Sequence, residues 1–410
     1  MKAEVETLII GGGQAGLSVS YHLIQRGREH LILEQAAGPA NAWRNDRWDS
    51  FTLNTPNWMN RLPGADYKGD DPDGFMRREE VIRYFEKYLT DNAHPIQYNT
   101  RALSVEPGEH GFRVETNQGR WGAKNAVIAT GGYQGPKIPE FSHQIDKDIL
   151  QTGSGKYRNP SSLPPGAVLV AGSGQSGCQI AEELNQAGRK VYLSVGSAGR
   201  VPRRYRGQDI FVWLTRSGFM DRTAAQLPSS RARFAGNPQI SGNDGGRDIN
   251  LHRFHRDGVI LLGRVHDAED GELLIAPDLK ENLAKADQIE KEIIKFIDEY
   301  ILKNGLEVEE ETLQELKDGY TAPETVRLNL KTEGISTVIW ACGYTFDFSW
   351  IKAPLVDSFG YPTTRGGDTA VPGLYFAGLP WIPSRKTGLL LGVGEQAGYV
   401  AERIAVNGYN

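Results

Sequence analysis

The sequence predicts an α/β protein with two Rossmann-like dinucleotide-binding domains, the second inserted into a discontinuous first. Three observations predict it. A strand, a glycine triplet and a helix follow one another over residues 5–25, and the same order returns over residues 168–195. The chain's 410 residues exceed what one such unit needs, at roughly 100–200 residues per domain.

The first unit opens with Val5-Glu6-Thr7-Leu8-Ile9-Ile10, a run that suits a buried strand. Gly11-x-Gly13-x-x-Gly16 follows at once, and Leu17 to Gln25 continues as a helix. The first glycine makes the turn, the second lets backbone approach a pyrophosphate, and the third lets the helix pack on the strand. Gln14 and Ala15 stand where the helix begins and where free N–H groups attract phosphate. The next strand, His30-Leu31-Ile32-Leu33, ends in Glu34 and Gln35. A carboxylate at that place accepts from the two ribose hydroxyls of an adenosine, so the unit reads as a site for FAD.

The second unit repeats the plan. Val168-Leu169-Val170-Ala171 is a strand, Gly172-Ser173-Gly174-Gln175-Ser176-Gly177 a second triplet, Cys178 to Ala187 a helix and Lys190 to Val195 a strand. This second strand runs out through Gly196 and Ser197 without a carboxylate, and Arg200, Arg203, Arg204 and Arg206 follow. A carboxylate would repel a 2′-phosphate, whereas a small hydroxyl and guanidinium forks bind one. NADPH is therefore expected here, with Ser197, Arg200, Arg203 and Arg204 at its phosphate. A solvated or nucleic-acid-binding basic patch is the alternative for the arginines.

Composition narrows the function classes. Lys and Arg number 46 against 51 Asp and Glu, a formal net charge of −5, so there is no global positive field for nucleic acid or an anionic membrane. No apolar run approaches the ~20 residues of a membrane span. Cys178 and Cys342 are the only cysteines, which excludes a disulfide framework, a zinc ligand set and a Cys-x-x-Cys redox pair. No signal peptide precedes the first strand, and a reducing, cytoplasmic setting is expected. The expected partners are a small-molecule substrate and O2, with a homodimer left open.

Gly11-x-Gly13-x-x-Gly16, Ala129-Thr130-Gly131, the second triplet and Ala341-Cys342-Gly343-Tyr344 together resemble the single-component flavin-containing monooxygenases over nearly the whole chain. That group includes plant indole-pyruvate monooxygenases and bacterial relatives. The resemblance implies bound FAD, NADPH as reductant, and oxygenation of a nitrogen or sulfur centre through a flavin C4a-(hydro)peroxide. It also implies that the stretches at Thr130-Gly131 and at Ala341 mark the linkers between the domains. Cys342 stands where the family usually has Thr.

The resemblance further singles out Trp43-Arg44 and Leu53-Asn54-Thr55-Pro56-Asn57-Trp58-Met59. In similar proteins the Asn of such a stretch lies beside the reactive edge of the isoalloxazine, which makes Asn54 the catalytic candidate and Trp43, Arg44 and Met59 flavin-binding ones. An amide donates and accepts hydrogen bonds without acting as a proton sink. The family's Phe-x-Gly-x-x-x-His-x-x-x-Tyr or Trp motif falls in the register Lys147-x-Ile149-x-x-x-Gly153-x-x-x-Tyr157. Gly153 replaces the His, and leaky coupling between NADPH consumption and product is expected from a flexible hinge there.

Towards the C-terminus, Pro372 to Gly378 reads as a strand ending at the ribityl position, and Thr387 opens a helix running to Val406 with Leu389 and Leu390 against the flavin. Between Gly207 and Pro277 periodicity is poor, which predicts a lid-like insertion; Leu279 to Leu302 is an amphipathic helix. The expected FAD domain spans 1–134 and 335–410, and the NADPH domain spans 135–334. The rival activities are an NADPH oxidase or reductase that makes peroxide and a flavoprotein that binds nucleotides without turnover.

Overall fold

The computed structural model describes residues 3–407. The first domain is built on β1 (Ala3–Ile10), α1 (Gln14–Gln25), β2 (His30–Leu33), α2 (Asn41–Asn45), α3 (Arg78–Asn92), β3 (Ile96–Gln97), β4 (Ala102–Gly108), β5 (Gly111–Thr116) and β6 (Gly119–Ile128). A short crossing strand, β7 (Gly135–Pro136), leads to β8 (Leu150–Gly153), β9 (Ala167–Ala171), α4 (Gln175–Gln186) and β10 (Val191–Ser194). The insertion holds β11 (Arg204–Tyr205), β12 (Gln208–Asp209), α5 (Ile210–Arg216) and α6 (Leu251–Arg256). Then come β13 (Ile260–Leu262), β14 (Val265–Glu269), β15 (Glu272–Ile275), α7 (Leu279–Lys303), β16 (Arg327–Asn329) and β17 (Ile335–Trp340). The chain returns through β18 (Tyr344–Thr345) and ends with β19 (Leu374–Phe376) and α8 (Val393–Asn407).

Two sheets carry the fold. The first has the order β3-β2-β1-β6-β5-β4, with β19 also on β6. Its strands β2, β1, β6 and β19 are parallel, and Ile10 pairs with both Leu33 and Ile128, which in turn pairs with Phe376. The carboxyl ends of four strands therefore line up. The second sheet, β13-β10-β9-β17-β8, is parallel throughout and aligns Leu262, Ser194, Ala171, Trp340 and Gly153 in the same way. In open α/β sheets ligands bind at that edge. The predicted fold class is borne out.

Helix α1 lies on the first sheet because its buried stripe of Leu17, Val19 and Leu23 meets Val393, Ala397, Val400 and Ile404 of α8 in one core. Each such leucine, valine or isoleucine contributes about 1.5–3 kcal/mol relative to exposure. Helix α4 repeats the arrangement on the second sheet with Ile180, Ala181 and Leu184 over Val168, Val170 and Val191. Amphipathic α7 buries Ile297 and Ile301 against Val201, Tyr205, Ile210 and Trp213 of the insertion. No helix among the described residues is long and apolar enough to cross a membrane.

Several elements differ from the sequence expectation. β17 was expected to begin the return of the first domain at 335, but it pairs with β8 and β9 inside the second sheet. The expected insertion over 207–277 contains β13, an edge strand of that sheet. The C-terminal helix starts at Val393; before it, Arg385–Gly388 makes a single 3-10 turn closed by Ser384 and Thr387. Gly153 is no hinge. It ends β8 opposite Trp340 in an extended conformation (φ −82°), and a Cβ there would stand 2.8 Å from the Cβ of Pro136.

The two crossings between the domains run side by side. β7 and β18 pair antiparallel, with Tyr344 opposite Pro136, and Lys137 N–H donates to Gly343 O at 2.9 Å. Tyr133 and Tyr344 meet edge to face at 5.0 Å. The domains are thus joined by a two-stranded ribbon, which restrains their relative rotation more than two separate linkers would.

Candidate active site

The two glycine turns have nearly the same local geometry. Gly11 has φ +109° and Gly172 φ +111°, and a Cβ on either would stand 2.6 Å from a backbone oxygen, that of Ala129 or Ala341. A Cβ on Gly16 or Gly177 would fall 1.9 or 1.8 Å from the carbonyl oxygen that opens its own turn. The middle glycines, Gly13 and Gly174, face open space. Both stand at helix starts without a side-chain cap, so the first N–H groups of α1 and α4 are left for an outside acceptor. These are the features that a pyrophosphate requires, and the residues present fit a dinucleotide at each turn.

Around the first turn the sheet gathers residues far apart in sequence. The Glu34 carboxylate accepts from Gly12 N–H at 2.7 Å and from Ala36 N–H at 2.8 Å, one bond on each oxygen, which aims it across the turn. Gln35 is exposed beside it. Thr130 and Gly131 leave the end of β6, where Gln134 Nε2 donates to Thr130 Oγ1 and Gly131 O. Gly378 leaves the end of β19; its N–H donates to Gln396 Oε1, and a Cβ on it would stand 2.3 Å from the Cβ of Ala15. Gln14 Nε2 donates to Gly388 O at 2.8 Å, tying the start of α1 to the segment that carries Leu389 and Leu390.

The aromatic wall is a packed cluster. Trp43 lies against Phe51 and Phe85, with the Arg47 guanidinium 5.1 Å from its ring centre. Arg44 turns away from this wall to an exposed pair with Glu86 on α3, so its guanidinium is not directed at the glycine turn. Met59 is buried among Val201, Trp213 and Leu391, at the seam between the first domain and the insertion.

Asn54 sits on that seam. Its Oδ1 accepts from Gln179 Nε2 of α4 at 2.7 Å, and its backbone oxygen accepts from Arg203 Nη1 at 2.8 Å. Its Nδ2 makes no hydrogen bond among the described residues, which leaves an amide donor held in place from the second domain. Thr52 Oγ1 donates to Asn243 Oδ1 close by, so the 52–54 stretch is clasped from two sides.

At the second turn, Ser173 is buried, its Oγ accepting from Gly196 N–H and its carbonyl from Gln239 Nε2. Gln175 Nε2 reaches Pro238 O, and half-buried Ser176 follows it into α4. The insertion segment 238–240 therefore runs along one side of this turn. Ser197 is exposed just beyond β10, with no acidic side chain at the strand end.

The arginines correct the sequence reading. Arg200 is buried and its guanidinium is shared between Asp287 and Glu290 of α7. Burial opposes that charge, yet the two carboxylates win and raise its pKa. Arg203 is buried against Asp209, with Phe75 4.6 Å from the guanidinium carbon. Arg204 donates to the carbonyls of Gly245 and Gly246. Arg206 pairs with Asp298. None of these forks is directed at Ser197. The acids that neutralise Arg200 lie on a helix some ninety positions later, so no local window shows them.

That helix also supplies a polar core the sequence reading missed. Asp287 accepts from Arg200, His252 and Tyr320, and these bonds outweigh burial and hold its carboxyl well below the usual range. Among the described residues no three His, Cys, Asp or Glu side chains converge on a metal position. Both cysteines are free and lie against the second turn, Cys178 Sγ on Ser173 O and Cys342 Sγ on Ala171 O.

Residues 8–207 match the family model described as pyridine nucleotide-disulphide oxidoreductase. An uncharacterized CzcO-like oxidoreductase of Geobacillus kaustophilus is 33% identical over 98% of this chain and 99% of its own length. A probable indole-3-pyruvate monooxygenase of Arabidopsis thaliana, YUCCA3, is 27% identical over 73% of this chain and 72% of its own. A solved flavin-containing monooxygenase from Stenotrophomonas maltophilia superposes with a TM-score of 0.67 at 20% identity, covering 99% of both chains, and so shares the fold.

Proposed function

Because the chain belongs to the CzcO-like oxidoreductases of the pyridine nucleotide-disulphide oxidoreductase family, we propose that it is an NADPH- and O2-dependent flavin monooxygenase. Its substrate is a small molecule oxygenated at nitrogen or sulfur. The observation that carries this reading is two open glycine turns in one chain with no dithiol beside the first. Disulfide reductases that pass electrons from the flavin through a dithiol need such a cysteine pair. Here both thiols lie against the second turn, and Cys178 is buried.

In this reading α1 receives the FAD pyrophosphate and Glu34 its adenosine ribose, with Thr130, Gly131, Gly378, Leu389 and Leu390 along the rest of the cofactor. The turn over Gly172–Gly177 receives the NADPH pyrophosphate, and Ser197 leaves room for a 2′-phosphate. FAD supplies the hydride acceptor and the centre that activates oxygen. Asn54 donates through its free Nδ2 while Gln179 fixes the amide from the other domain. Trp43, Phe51 and Met59 keep water from the cleft.

The test is isotopic. Enzyme supplied with NADPH, 18O2 and a panel of amines and thioethers is expected to give product carrying one labelled oxygen. Consumption of NADPH with release of peroxide alone, and no label in any product, would support the oxidase instead.

A further inference from the structure

Two arginines where the insertion meets the first domain lack the partners that the other enclosed arginines have. Arg222 follows the 3-10 turn Phe219–Asp221 of the insertion, and Arg385 opens the turn Arg385–Gly388 of the first domain. Arg385 N–H donates to Arg222 O at 2.9 Å, and Thr223 bridges Ser384, so the two backbones are locked together across the domains. Both guanidinium groups lie over the one Phe219 ring, at 4.2 and 5.4 Å, with Phe296 beside Arg222 and Trp381 beside Arg385.

Neither side chain makes a hydrogen bond or an ion pair among the described residues. The nearest acids in sequence, Asp221 and Glu395, are both held by Lys386 at 2.7 Å. Arg200, Arg203, Arg233 and Arg247 each pair with a carboxylate. Two half-buried like charges stacked on a shared ring repel one another and lose hydration, a cost that a bound anion removes. Burial and the Arg222 charge both press the Arg385 pKa downwards, as expected for a cation without its counter-charge. With no hydrogen bond of its own, each guanidinium keeps its N–H groups for bidentate binding of a carboxylate.

We propose that Arg222 and Arg385 receive the carboxylate of the substrate, which is therefore a small organic acid carrying its nitrogen or sulfur centre on an apolar body. The inference deepens the monooxygenase reading and rests on it for the site's location. Arg385 stands on the excursion between Gly378 and Leu389–Leu390, and its turn ends at Gly388, whose carbonyl is bound by Gln14 at the start of α1. An acid held there lies beside the proposed flavin site, and it would bind both domains at once.

Titration calorimetry of the purified flavoprotein with (phenylthio)acetate and its neutral amide tests this without turnover. The acid is expected to bind at least about tenfold more tightly than the amide, the scale of a charge-assisted pair. Arg222→Gln and Arg385→Gln should each weaken the acid by about tenfold and leave the amide and NADP⁺ within about twofold, with Arg385→Lys recovering part of the loss. Unchanged amide binding also shows that the variants are folded. Equal binding of acid and amide by the unaltered protein would overturn the proposal. So would variants that lose NADP⁺ and keep the acid, since the anion would then be a nucleotide phosphate. Absence of labelled oxygen in product removes the monooxygenase reading but leaves the acid-to-amide ratio standing, so the two failures are distinguishable.

Discussion

Glu34 and Arg200 are both charged residues assigned from the sequence to a nucleotide, one to a ribose and the other to a 2′-phosphate, and their surroundings separate them. Glu34 is half-buried, holds two backbone N–H groups and keeps lone pairs on both oxygens for further donors. Glu34→Ala removes an acceptor from those N–H groups and from the ribose, so FAD retention should fall sharply. The ratio of flavin absorbance to protein in the purified variant measures this, and full retention would place the adenosine elsewhere. Arg200 is an internal counter-charge. Arg200→Ala should leave the NADPH-to-NADH ratio of kcat/KM within about twofold but destabilise the fold by about 3–5 kcal/mol, because Asp287 and Glu290 lose their partner. Urea unfolding and the two-nucleotide comparison check both halves; a ratio that collapses towards unity would return Arg200 to the phosphate. The place of Glu34 at the end of β2 is legible because it follows a contiguous strand, whereas the surroundings of Arg200 depend on α7.

At the scale of elements, α1, β2 and the loop after α3 are joined by a buried polar chain. His30 Nδ1–H donates to Arg28 O, which leaves Nε2 to accept from the Ser20 hydroxyl; Ser20 Oγ in turn accepts from His94 Nδ1–H. His94 Nε2 is buried without a partner, and burial lowers its pKa to about 4. A depressed pKa means the unfolded chain binds the proton first. Stability is therefore intact above about 6.5 and is lost as pH falls towards 4, by up to about 3 kcal/mol. His94→Phe should flatten that limb of the Tm-versus-pH curve; an unchanged limb would assign it to other groups. None of this chain was read from the sequence, because its members are isolated polar residues in three elements. Strand, turn and helix at each glycine triplet were legible because they are contiguous. β17 was assigned to the wrong sheet because strand pairing is non-local: Ile335–Trp340 suits either sheet, and only its contacts with β8 and β9 decide. Gly153 was misread as a hinge for the same reason, and Gly153→His should now destabilise the fold by crowding Pro136, with no gain in coupling.

Over the whole molecule, one of the clasps between the domains is the 52–54 stretch. Gln179 of α4 and Arg203 of the insertion both bind Asn54, Thr52 binds Asn243, and the β7–β18 ribbon joins the domains separately. Asn54 therefore carries two separable groups, an acceptor, Oδ1, that binds Gln179 of the second domain, and an amide donor, Nδ2, without a hydrogen bond among the described residues. Two substitutions part them. Asn54→Asp keeps an oxygen for Gln179 and removes the donor, whereas Asn54→Ala removes both. If the donor serves oxygenation, both variants should oxidise NADPH while the product formed per NADPH falls by about tenfold or more, the effect of one lost donor at a reacting oxygen. If only the clasp matters, Asn54→Asp should match the unaltered enzyme and Asn54→Ala alone should release peroxide. Product and peroxide counted against NADPH consumed decide between them. The Asp variant carries the argument, since it leaves the interdomain contact in place: normal coupling there would take Asn54 out of the chemistry and leave it a positioning residue.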